Sequence, residues 1–227
     1  MSAPRLEVVE DERAAAQRAA ELIAEAGERS LEERDEFKLA LSGGRTPWAM
    51  LAILSDLEAM PWEDTELFQV DERVASPGSE ERNLTHFVLA LSLEHQSALV
   101  PMPVTQRDLG TAALQYEDLL PHRLDLVHLG LGPDGHTASL VPGDSVLEAT
   151  DQKVAMTEHP YQGCRRMTLT YPALRDARQI LWLVTGEEKR EPLERLIDGD
   201  ATIPAGRVRN DEMVVVADEA AAEGLSG

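Results

Sequence analysis

The feature that most constrains this chain is an alternation, sustained from end to end, between short apolar runs and longer segments with apolar residues at helical spacing. LEVVE (6–10), FKLAL (37–41), TELFQV (65–70), RLDLVHLGL (123–131), KVAMT (153–157), RRMTLT (165–170), QILWLVT (179–185) and MVVVA (213–217) read as strands, and LVPMPV (99–104) as an extended segment. Residues 11–29, 48–57 and 111–120 read as helices, as do stretches starting near Asn83, after Pro172 and after Gly186. Strands alternating with helices predict an α/β fold, a mostly parallel sheet with helices on both faces, with ligands bound at the carboxyl ends of the strands. No repeat, linker or low-complexity tract interrupts the pattern, so one domain spanning 1–227 is expected.

Composition narrows the function classes. Forty-two acids against 21 bases give a formal charge of −21, which repels nucleic acid and anionic membrane surfaces, so neither is an expected partner. An anionic substrate would need a local basic pocket. No apolar run is long enough to cross a bilayer, and MSAPRLEVVEDERAAA lacks the basic-then-apolar order of a signal peptide. The single Cys164 excludes an intramolecular disulfide framework, so a cytoplasmic location is expected. Beside Arg165 and Arg166, Cys164 reads as a small buried apolar residue in preference to a nucleophile.

Two glycine-rich segments follow strands. In Ser42-Gly43-Gly44-Arg45-Thr46-Pro47, Thr46 stands where an N-cap belongs and Pro47 at a first helical position. Paired glycines let amide groups approach an anion at the positive end of a helix, and the Ser42 and Thr46 hydroxyls can donate to it. The segment reads as a phosphate cradle without Walker A spacing; an ordinary capped helix after a glycine turn is the alternative. In HLGLGPDGHTASLVPG (128–143), Gly130, Gly132 and Gly135 spell the dinucleotide fingerprint, but Pro142-Gly143 denies them the full helix that fingerprint requires. What remains is Asp134-Gly135-His136 at a strand's carboxyl end. Imidazole accepts a proton near neutral pH and a nearby carboxylate can orient it, so His136 is a candidate general base. Arg166 and Lys189 could complete an anion pocket, and Asp71 and Arg73 bring a further acid and base to the same rim. There is no G-x-S-x-G elbow, H-E-x-x-H or zinc-spaced cysteine pair, which disfavours covalent serine catalysis and structural zinc.

Together SGGRTP, VDER with Asn83 following, LGLGPDGHTASLVPG, RMTLT and TGEEK, in this order and spacing, resemble the 6-phosphogluconolactonase family over nearly the whole chain. SGGxTP is shared with the wider group that includes glucosamine-6-phosphate deaminases. The resemblance implies a doubly wound, Rossmann-like fold and hydrolysis of 6-phospho-D-glucono-1,5-lactone with neither metal nor cofactor. It implies that His136 is the proton-transfer residue with Asp134 nearby. It maps Gly43, Gly44, Thr46, Arg166 and Lys189 onto phosphate-contacting positions, beside which the Ser42 hydroxyl is also expected to bind phosphate, and Asp71 and Arg73 onto the family's acid-glutamate-arginine motif. The expected partner is a small phosphorylated sugar lactone, bound by a monomer or weak oligomer. Val70, Gly78-Ser79, Arg82, Val141 and Arg165 depart from the family's pattern, chiefly in the 74–82 loop. The alternatives are a deaminase-like enzyme, for which Leu140 and Val141 replace the asparagine and glutamate of that branch, and a catalytically silent sugar-phosphate sensor.

Overall fold

QILWLV and MVVVAD carry apolar side chains on successive residues, a pattern that suits strands covered on both faces. In the computed structural model, which describes residues 4–225, they are adjacent interior strands of a seven-stranded parallel sheet. Its strands are β1 (Arg5–Val9), β2 (Phe37–Leu41), β3 (Thr65–Gln69), β5 (Leu99–Val100), β6 (Leu126–Gly130), β9 (Gln179–Val184) and β10 (Met213–Asp218). They lie in the order β1-β10-β9-β6-β2-β3-β5, and every pairing is parallel.

Side chains alternate between two cores across this sheet. Leu39, Leu41, Leu67, Leu126, Leu181 and Val216 face α1 (Glu12–Arg34), α2 (Arg45–Asp56) and α3 (Asn83–Ala90). Ala40, Phe68, Val127, Trp182 and Val215 face the other side, where α4 (Leu109–Leu119), α5 (Tyr171–Asp176), α6 (Arg190–Asp198) and α7 (Glu219–Ala222) contribute. The doubly wound architecture expected from the sequence is therefore present.

Two departures, and the limited pairing of one extended segment, have physical causes. KVAMT and RRMTLT are strands, but they leave the main sheet. β7 (Val154–Met156) and β8 (Arg166–Leu169) join β4 (Asp71–Arg73) in a separate three-stranded sheet, where β8 lies in the middle and pairs antiparallel with both. Only two residues of LVPMPV pair, because Pro101 and Pro103 have no N–H to give a ladder, and β5 is confined to the sheet edge. The first helix runs five residues past its expected end. Ser30 is buried with its hydroxyl on Glu36 O, Arg34 reaches Asp125, and the helix stops only at Asp35 in the left-handed region.

The two sheets join at one residue. Val70 lies between β3 and β4, donating its N–H to Leu41 O and accepting the N–H of Leu169. Residues Asp71 to Arg73 thus emerge at the carboxyl ends of β2, β3 and β6 and continue straight into the small sheet.

Candidate active site

After β6 the chain reverses twice within seven residues. Gly135 donates its N–H to Gly132 O at 3.0 Å, and Gly132 donates to His136 O at 2.8 Å. This closure lays the imidazole over the turn: a Cβ on Gly132 would stand 1.9 Å from His136 Nδ1 and 2.7 Å from Asp134 Oδ1, so only glycine fits there. His136 Nδ1 lies 2.5 Å from Asp134 Oδ1, and the His136 N–H donates to the same oxygen at 3.2 Å. With Nδ1–H donated to the carboxylate, Nε2 is the nitrogen left to accept a proton. Burial pushes the Asp134 carboxyl up, but hydrogen bonds and charge from His136 outweigh it and hold it below the usual range.

No α-helix follows the three glycines. Instead the next hydroxyls tie the loop down: Thr137 donates to Gly130 O at 2.9 Å and Ser139 to Asp71 Oδ2 at 2.5 Å.

The SGGRTP turn differs from its expected geometry. Gly44, at φ 134°, is the N-cap of α2, so Thr46 and Pro47 occupy the second and third helical positions and Thr46 caps nothing. Its hydroxyl goes to Glu12 Oε1 at 2.7 Å and meets Thr185 Oγ1 at 2.9 Å. Ser42 gives both its N–H and its O–H to His128 O. The hydroxyls expected to meet a ligand are therefore engaged by protein, and the cradle rests on amides at the start of α2, which has no side-chain cap. Gly43 allows the close approach of Asn83: a Cβ there would fall 1.9 Å from Asn83 Oδ1.

The small sheet delivers the other charges. Register pairs Arg73 with Arg166 across β4 and β8. Arg166 is 4% exposed, with Nη1 3.6 Å from Asp71 Oδ2, Nη2 on Gln162 Oε1 at 3.1 Å, and Nε without a partner. Burial lowers its pKa, and Asp71 opposes the shift. Asp71 is also held by Ser139 and Asn83, while Arg73 donates to Glu81 O and Asn83 Oδ1. Lys189 ends the short turn after β9, its Nζ 3.6 Å from Glu188.

These elements enclose a cavity of about 240 Å³ lined by Ser42, Gly43, Asp71, Arg73, Asn83, His136, Gln162, Arg166 and Lys189. Gly43 and Lys189 also line an adjoining cavity of about 270 Å³, bordered by Gly44, Thr46 and Thr185. Asp134 stands behind His136. Ser42, Gly43, Asp71, Arg73, His136, Arg166 and Lys189 thus share one cavity, a basic pocket in an acidic chain, while Gly44 and Thr46 line only the adjoining one. Among the described residues, no group of three His, Cys, Asp or Glu side chains is placed to hold a metal, and no helix is long and apolar enough to cross a membrane. Cys164 is half-buried and outside both cores, contrary to its reading as a core residue.

Sequence reasoning missed three residues. Glu72 is fully buried, and its carboxylate accepts the N–H groups of Arg73, Asn83 and Leu84 and the Gln69 amide. Arg82 Nε lies 3.5 Å away, so the divergent Arg82 serves this buried acid and fixes the end of the 74–82 loop. Strand alternation at 71–73, which sends Glu72 opposite to its neighbours, was the available signal. Tyr161 had none, because its partners Asp134 and His136 lie on another loop, and Gln162, which meets Arg166 across the same hairpin, sits in no motif.

Residues 10–216 match the family described as glucosamine-6-phosphate isomerases/6-phosphogluconolactonase. The chain belongs to this family. The 6-phosphogluconolactonase of Mycobacterium tuberculosis is 33% identical over 212 residues, covering 81% of this chain and 85% of that protein. That of Synechocystis is 30% identical over 240 residues, covering 98% and 99%. The crystal structure of 6-phosphogluconolactonase from Thermotoga maritima superposes with a TM-score of 0.84 at 28% identity, covering 95% of this chain and 99% of that one. A monomeric glucosamine-6-phosphate deaminase shares the fold, with a TM-score of 0.81 at 20% identity over 96% and 98% of the two chains. That likeness shows the fold alone, whereas the curated relatives above, at 30% identity or more, are 6-phosphogluconolactonases.

Proposed function

We propose that this chain hydrolyses 6-phospho-D-glucono-1,5-lactone to 6-phospho-D-gluconate, the second step of the oxidative pentose phosphate pathway, without a covalent enzyme intermediate. The observation that carries the reading is one cavity holding both His136, with Nε2 available, and the buried Arg166, with an unpartnered Nε. A buried cation with incomplete pairing favours an anionic ligand, and the α2 amides with Lys189 add to the same field. The phosphate binds there, which sets the lactone carbonyl near His136.

Nε2 takes a proton from water as its oxygen bonds to C1. The C1 oxyanion then collapses, the bond from C1 to the ring oxygen breaks, and the imidazolium returns the proton to that oxygen. Asp134 orients the imidazole. Asp71 positions Arg166 and the 137–139 loop, and Arg73 or backbone N–H groups stabilise the oxyanion. The buried Leu140 and its neighbour Val141 supply no acid or amide for sugar-ring opening, which favours the lactonase over the deaminase. The proposal includes a cytoplasmic monomer or weak oligomer, with neither metal nor cofactor and neither nucleic-acid nor membrane partner.

The test is a pH-controlled assay with freshly generated lactone, run beside glucosamine-6-phosphate. Replacing His136 with Ala is expected to lower kcat on the order of 10²-fold or more. Near-normal turnover of that variant, after subtracting spontaneous hydrolysis, refutes the assignment; turnover of the amino sugar alone supports the deaminase, and binding without turnover supports the sensor.

A further inference from the structure

We infer that Tyr161 is a positioning residue that ties the phosphate-binding arginine to the proton-transfer pair. The inference rests on the lactonase reading above and adds to it a residue outside the motifs. Tyr161 and Cys164 close a tight hairpin, with N–H···O contacts of 2.9 and 3.4 Å, and its two central residues, Gln162 and Gly163, both have positive φ. Such a turn fixes the direction of the flanking side chains.

The hairpin presents Tyr161 between two functional groups. On one side its hydroxyl donates to Asp134 Oδ2 at 3.3 Å and lies 3.4 Å from His136 Nδ1, and its ring meets the imidazole edge-on at 5.2 Å. On the other side the Arg166 guanidinium carbon stands 5.2 Å from the ring centroid, within cation–π range. Arg166 Nη2 also donates to Tyr161 O and Gln162 Oε1, so the same hairpin steadies the guanidinium along its edge.

The two oxygens of Asp134 are thereby divided: Oδ1 takes the imidazole N–H and Oδ2 takes the phenol. With both held, the carboxylate cannot rotate without breaking a hydrogen bond, and the imidazole keeps Nε2 toward the cavity. Burial and the Asp134 charge push the phenol up, so it stays a donor across the working pH range. Arg166, once bound to phosphate, holds the ring in this pose, so the contact links occupancy of the anion site to the alignment of His136.

Tyr161→Phe and Tyr161→Leu separate the two contacts. Tyr161→Phe keeps the ring and removes the hydroxyl: kcat falls about tenfold, the scale of one hydrogen bond to a charged group, while KM stays within about twofold. The acidic limb of its kcat–pH profile moves to higher pH, because Asp134 loses a donor and favours the imidazolium more strongly. In Tyr161→Leu, which also strips the ring from Arg166, KM rises severalfold as well. A Tyr161→Phe enzyme with wild-type kcat and an unshifted profile overturns the inference, as does a rise in KM alone. His136→Ala measured alongside keeps the two readings apart. If it is inactive while Tyr161→Phe matches wild type, only the role of Tyr161 falls; if it is fully active, the lactonase site itself is wrong.

Discussion

Gly132 carries no functional group, yet the structure makes it the residue on which the position of His136 depends. In Gly132→Ala the new methyl group would lie 1.9 Å from Nδ1 and 2.7 Å from Asp134 Oδ1. Ordinary contact begins near 3.4 Å, so the ring has to retreat by roughly 1.5 Å. Displacing a reacting group by about 1 Å costs on the order of 10²-fold, or about 2.7 kcal/mol of barrier. We expect kcat to fall on the order of 10²-fold with KM within about threefold, because Arg166, Lys189 and the α2 amides do not touch this methyl group. The fold should hold, since Gly132 does not occupy the left-handed region. The assay is initial-rate hydrolysis of freshly prepared lactone with the uncatalysed rate subtracted, beside a thermal melt of the same preparation. A folded variant with kcat within about threefold of wild type refutes the reasoning.

Two further outcomes follow from buried or pocket-lining groups. Lys189→Ala removes one charged contact from the proposed phosphate site, so KM should rise about tenfold with kcat little changed; a selective loss of kcat would place Lys189 at the reacting carbon instead. His128 is fully buried with both ring nitrogens unpartnered, and burial lowers its pKa to about 3. The unfolded chain therefore takes up a proton below about pH 6.5 that the native state refuses, and native stability falls as pH drops through this window. Relative to His128→Leu, wild type should lose about 2 kcal/mol between pH 7.5 and pH 5 in urea unfolding; parallel stability curves would contradict this.

The main sheet and its helices were legible because continuous apolar runs and helical spacing report burial on local scales. The small sheet was not. Val154–Met156 and Arg166–Leu169 read as strands, but nothing local says that Arg166–Leu169 also partners Asp71–Arg73, almost a hundred residues earlier. The site divides in the same way. His136, Asp134, Arg166 and Lys189 were legible because their chemistry is rare in such a setting and follows strand ends. Tyr161 acts through Asp134 and His136 on another loop, and the hydroxyls of Ser42 and Thr46 go to His128 O, Glu12 and Thr185. Such competition between a ligand and the protein's own acceptors leaves no trace in a motif.

The strand order has a consequence for how the chain is made. Among the described residues β1 has β10 as its only neighbour in the sheet, and β10 ends at Asp218. During synthesis β1 therefore waits until Val214–Asp218 has been made before it acquires this hydrogen-bonding partner, a loop-closure demand that slows completion of the sheet. Until then the β1 edge stays open to other chains. The charged residues in Arg5–Val9 and the long acidic helix behind it keep that waiting edge soluble.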